Sequence, residues 1–116
     1  MGLVICLNDR GKFTVAHRMP MTNAFRVAVA DATGDGHPDI YVMRTRHVPG
    51  PDIPDLLLLS GGSYDDYTSM ELPTVPGTVR DDEVYAIDYD RDGKSEFLVL
   101  HGHSIHPAPI QLIALS

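Results

Sequence analysis

An acidic loop of nine residues occurs twice in this chain, each time between two short apolar runs of β character. The first copy is Asp31-Ala32-Thr33-Gly34-Asp35-Gly36-His37-Pro38-Asp39, and the second is Asp88-Tyr89-Asp90-Arg91-Asp92-Gly93-Lys94-Ser95-Glu96. Oxygen-bearing side chains recur at loop positions 1, 3, 5 and 9, and glycine holds position 6 in both copies. Alternate side chains on a tightly curled segment can converge on one hard cation, and the glycine permits the sharp turn. Asp31 and Asp88 lie 57 residues apart, and the flanks repeat with them. Val27-Ala28-Val29-Ala30 and Val84-Tyr85-Ala86-Ile87 precede the loops; Ile40-Tyr41-Val42-Met43 and Phe97-Leu98-Val99-Leu100 follow them. A second offset, of 54, relates Phe13-Thr14 after Asn8-Asp9-Arg10-Gly11 to Tyr67-Thr68 after Ser60-Gly61-Gly62-Ser63. A period of this size points to a repeat architecture, a propeller foremost.

The rest of the chain reads as short strands separated by turn chemistry. Apolar residues do not recur at helical spacing, and nine prolines and ten glycines punctuate the sequence. Strands are expected at about 3–7, 12–18, 26–30, 40–45, 55–60, 67–71, 83–87, 96–101 and 109–115. They group as two, four and three: the chain enters one four-stranded unit halfway, completes a second and stops inside a third. Asn8-Asp9-Arg10-Gly11 reads as a hairpin turn. Leu56-Leu57-Leu58-Leu59 is apolar on both faces and suits a strand buried between sheets. Thr45 to Pro54 and Leu72 to Asp82 read as surface connections.

With 116 residues the chain amounts to a single domain, residues 1–116, and 43% hydrophobic content suits a globular protein. Seven of its sixteen acids sit in the two loops, so the net charge of −7 is concentrated there. Phosphate backbones and anionic membranes need a basic face, so nucleic acid is not an expected partner. No apolar stretch approaches the about 18 residues of a membrane span, no signal peptide is visible, and membrane insertion is not expected. Met1-Gly2 opens like a myristoylation site, but Cys6 stands where serine or threonine is required. Cys6 is the only cysteine, which excludes an internal disulfide, and its place in Leu3-Val4-Ile5-Cys6-Leu7 suggests a small buried hydrophobe.

The strand–loop–strand units resemble the FG-GAP/VCBS repeats that form blades of integrin-type β-propellers. In that pattern an apolar strand leads into Asp-x-Asn/Asp-x-Asp-Gly-x-x-Asp and then into a second apolar strand. The resemblance covers roughly residues 3–115, and two copies occur in the same setting. Thr33 replaces the usual Asn or Asp at position 3, which weakens the first loop as a ligand set; Glu96 replaces Asp at position 9 and adds a methylene of reach. The name-giving Phe-Gly and Gly-Ala-Pro motifs are absent, with Phe25-Arg26 the nearest trace. The resemblance implies an all-β fold of about two propeller blades and an extracellular or periplasmic setting. It further implies a calcium-binding role in cell adhesion or in binding a protein or carbohydrate ligand. Two blades cannot close a ring, so the chain is expected to be part of a larger propeller or a protomer of a homo-oligomer. The alternatives are a structural subunit of a larger extracellular assembly and an accessory domain of an extracellular enzyme.

The expected metal residues follow from the loops. Asp31, Asp35 and Asp39 would bind one Ca²⁺, helped by Thr33 and the His37 carbonyl; Asp88, Asp90, Asp92 and Glu96 would bind a second, with the Lys94 carbonyl. A plain acidic hairpin turn would not need acids at positions 1, 5 and 9 twice over. An EF-hand or dockerin would need helical flanks and an acid at position 12, where Val42 and Val99 stand. His101-Gly102-His103-Ser104-Ile105-His106 could attract zinc or copper, but no cysteine or acid completes a site there. Neither Ser60 nor Ser104 lies in a nucleophile elbow, and phosphate-cradling glycine loops are missing, so catalysis is not expected. Tyr64 and Tyr67, beside Asp65 and Asp66, could meet a sugar or protein, although Tyr67 suits the start of a strand, as Phe13 does.

Overall fold

The computed structural model describes residues 2–44, 53–73, 83–100 and 110–115. They form nine strands and no helix: β1 (Gly2–Asp9), β2 (Lys12–Pro20), β3 (Ala24–Ala30), β4 (Asp39–Arg44), β5 (Leu56–Ser60), β6 (Tyr67–Glu71), β7 (Glu83–Ile87), β8 (Glu96–Leu100) and β9 (Gln111–Ile113). The sheets hold two, four and three strands, in the orders β1-β2, β3-β4-β5-β6 and β7-β8-β9, all antiparallel. This is the grouping read from the sequence. Most of both expected connections, and the histidine segment 101–106, lie outside the described residues.

Turn chemistry sets the registers. Arg10 and Gly11 both take positive φ, 55° and 88°, so β1 and β2 join through a two-residue turn whose twist matches the strands. The Gly11 N–H donates to Asn8 Oδ1 at 2.8 Å and closes it. Gly61 begins a longer connection from β5 to β6, in which its N–H donates to the Asp66 carbonyl at 2.7 Å.

The central strands β4 and β5 are buried on both faces, which explains why they are apolar without alternation. Ile40, Val42, Leu56 and Leu58 face the first hairpin and pack with Leu3, Ile5, Met19 and Met21. Tyr41, Met43 and Leu57 face the other way and pack with Val84, Phe97 and Val99 of the third sheet. The Tyr41 and Phe97 rings meet at 5.3 Å between centroids, tilted by 42°. Asp55, buried just before β5, locks the end of this sheet. It accepts from the Tyr41 hydroxyl at 2.7 Å and the Arg44 N–H at 2.9 Å, while its carbonyl accepts from the Leu72 N–H.

Two expectations are corrected. Cys6 is exposed, not buried. In β1 the residues that pack inward are Leu3 and Ile5, so strand parity turns Val4 and Cys6 outward. Tyr67 packs on the core at the start of β6, but Phe13 at the same repeat position is 68% exposed. Among the described residues no sheet lies beyond the outer face of the hairpin, where Phe13 lies opposite Asn8.

Candidate metal centre

The two acidic loops connect the first and second strands of their sheets, β3 to β4 and β7 to β8, and they lie side by side. The Ser95 N–H donates to the Asp31 carbonyl at 2.9 Å. The Lys94 side chain lies so close over Gly34 that a Cβ there would meet its Cγ at 3.0 Å. Glycine at position 4 of the first loop suits both this close side chain and a φ of 81°.

Both loops are curled by the same bonds. The acid at position 1 sits inside the curl: Asp31 accepts N–H bonds from Gly34, Asp35 and Gly36, and Asp88 accepts from Asp92 and Gly93, at 2.8–3.2 Å. The acid at position 5 accepts from position 7, Asp35 from the His37 N–H and Asp92 from the Lys94 N–H. The acid at position 9 reaches back to position 2, Asp39 to the Ala32 N–H and Glu96 to the Tyr89 N–H, both at 2.9 Å. The chain is left-handed at positions 4 and 6 alike, at Gly34 and Gly36 and at Arg91 and Gly93. Arg91 holds φ 61° without being glycine, a local strain on the order of 1 kcal/mol. Only the position-6 requirement was readable from the sequence, because the two loops differ in residue type at position 4.

The loops part company in what their carboxylates do. Asp88, Asp90, Asp92 and Glu96 bring one oxygen each within 4.8 Å of one another, the only group of three or more possible metal-binding side chains among the described residues. All four donors are hard oxygens, which fits Ca²⁺ or Mg²⁺ and not a thiophilic metal. Lost hydration, the hydrogen bond to Asp92 and the charges of Asp92 and Glu96 push the Asp90 carboxyl above its usual range. Asp92 moves the other way, held down first by the Lys94 N–H and then by the hydrogen bond to Asp90. The acids therefore crowd each other, with the Lys94 charge acting on Asp92.

The first loop does not gather its acids in this way. The carboxylate of Asp31 is held below its usual range chiefly by the Gly36 N–H, and further by Gly34, Asp35 and the Thr33 hydroxyl. Asp39 is fully buried, with its second oxygen accepting from the Ser60 N–H at 2.8 Å. That bond crosses to β5 from 21 residues away, and nothing in the local motif announces it. His37 is exposed and lies near Gly62, and Lys94 is half-buried against Gly34.

No protein-family model matches the chain, and no curated protein or solved structure matches it either.

Proposed function

We propose that this chain is a calcium-stabilised blade module that presents its surface to a protein or carbohydrate ligand outside the cell. The observation that carries the calcium reading is the convergence of Asp88, Asp90, Asp92 and Glu96 within 4.8 Å at the turn of the third sheet. Four oxygens supply half to two thirds of the six to eight that Ca²⁺ takes, and backbone carbonyls and water fill the remainder. The ion ties β7 to β8 and relieves the crowding around Asp90. The first loop takes a second Ca²⁺ more weakly, because both oxygens of the fully buried Asp39 are engaged by backbone N–H groups and Thr33 contributes only a hydroxyl. Adhesion and ligand presentation rest on the resemblance of the two loops and their flanks to FG-GAP/VCBS blades. The exposed Tyr64 and Tyr89 offer aromatic contact area for such a ligand.

Calcium titration by calorimetry tests the assignment. One tight event is expected, abolished by Asp92→Ala and kept by Asp35→Ala, whereas absence of binding heat and of any calcium effect on melting would contradict it. At tenfold over Kd the tight site stabilises the fold by about 1.4 kcal/mol.

A further inference from the structure

The three sheets are stacked like successive units of one repeat, and the repeat shows which faces lack a neighbour among the described residues. The 57-residue offset places Tyr85 and Leu98 where Ala28 and Tyr41 stand. The pairing of β9 with β8 places Leu112 where Leu57 stands, since Tyr41 opposes Leu57 and Leu98 opposes Leu112. In the middle sheet the row Ala28, Tyr41 and Leu57 is packed against the third sheet. In the third sheet the equivalent row is open: Tyr85 is 50% and Leu112 45% exposed. The opposite face repeats the pattern. Val84 on β7 is buried against the sheet before it, but its equivalent Val27 on β3 is 47% exposed, with Phe25 and Val29 beside it.

We infer that the occupant of both faces is a second copy of this chain, docked head to tail. The outer face of β7 in one copy, Tyr85 and Ile87, covers Phe25, Val27 and Val29 of the next, as β3 covers β7 within the chain. The charges fit this repetition. Within the chain Arg26 pairs with Glu83 at 3.4 Å, and these residues occupy equivalent positions 57 apart. Repeating the step between copies sets Glu83 against the next copy's Arg26, again opposite in sign. The interacting sheets agree: residues 2–20 carry three cations and one acid, net +2, whereas residues 83–100 carry five acids and two cations, net −3. A calcium ion in the second loop leaves the latter at net −1.

The same step brings the free edge of β1 to β8. Matching the turn Asn8-Asp9-Arg10-Gly11 to Ser60-Gly61-Gly62-Ser63, a shift of 52, makes Cys6 and Val4 the counterparts of Leu58 and Leu56, so they would face Phe97 and Val99 as Leu58 and Leu56 face Ile40 and Val42. Eight-residue β1 replaces three-residue β9 in this position, and β7-β8 of one copy with β1-β2 of the next completes a four-stranded blade. The exposed Val4, Cys6 and Val15 become covered. Each copy then supplies two blades, and because propellers close at roughly four to eight blades, rings of two to four copies result.

Light scattering and labelling of Cys6 test this without reference to calcium binding. The parent is expected at a multiple of 12.7 kDa, with Cys6 reacting roughly tenfold slower than in a monomer. Tyr85→Glu with Ile87→Glu blocks one face, and Val27→Glu with Val29→Glu blocks the other. Each variant alone should be a folded monomer by circular dichroism, and an equimolar mixture should form a dimer of the two. If either pair unfolds the chain, Glu83→Arg and Arg26→Glu replace them as mutually rescuing partners. A monomeric parent with fully reactive Cys6, or a mixture that stays monomeric while the parent associates, overturns the proposal.

Discussion

Asp39 and Asp92 bring the same side chain to equivalent kinds of loop and serve different ends. Asp39 is buried with one oxygen on the Ala32 N–H and the other on the Ser60 N–H, so it holds the loop to β5. Asp92 is exposed in the acidic group. Asp39→Ala orphans two N–H groups and should cost about 3 kcal/mol, lowering the melting temperature by about 10 °C with or without calcium. Asp92→Ala should lower it chiefly when calcium is present. Equal melting shifts for the two variants in chelator would contradict these assignments. The pH dependence divides in the same way. Asp31, whose carboxyl is held low, adds stability that is complete above the ordinary carboxylate range and is lost as pH falls through its lowered value. Asp90, whose carboxyl is pushed up, costs stability when charged, and protonation relieves that cost as pH falls through the raised value. In chelator, acidification should therefore first stabilise and then destabilise the protein, and Asp90→Asn should remove the first phase. Calorimetric melts from neutral to acid pH read this directly; a parent whose stability only falls, matching the variant throughout, would contradict it.

At the scale of elements, the strands and their grouping were legible because alternation and turn residues are local properties. Arg10-Gly11 and the two acidic loops each specify a reversal within a few residues. Leu56-Leu57-Leu58 read correctly as a two-faced strand because no residue in it is polar. Cys6 is exposed although it stands in an apolar run, because β1 lies on an outer sheet and only alternate residues reach the core. Asp55 was not legible at all: its partners Tyr41, Arg44 and Leu72 are distant in sequence and meet it only when β4, β5 and β6 are aligned. Asp55→Ala removes the acceptor of two bonds at a buried position and should cost about 3 kcal/mol. Urea unfolding should show a lower midpoint with unchanged slope, and a midpoint equal to the parent's would mean that the latch contributes nothing.

The whole molecule is a stack of three sheets with a radius of gyration of 15.0 Å and extents of 46 × 35 × 24 Å. A compact chain of this length is expected near 13 Å, so the stack is elongated. Only the central strands β4 and β5 are covered on both faces, and exposed apolar residues fall on the outer faces of the first and third sheets and on β3. The repeat in the sequence foretold this layering, but it could not reveal that the two acidic loops would diverge. That difference arises from tertiary partners: Ser60 engages Asp39, while Glu96, one methylene longer, caps its loop and still reaches the other acids. The central claim is that the third sheet is closed by a divalent cation. The most direct measurement is the anomalous difference density of a crystal grown in calcium. The expected result is a peak with Asp88, Asp90, Asp92 and Glu96 oxygens at about 2.3–2.6 Å. Well-ordered loop density with only water among those four carboxylates would contradict it.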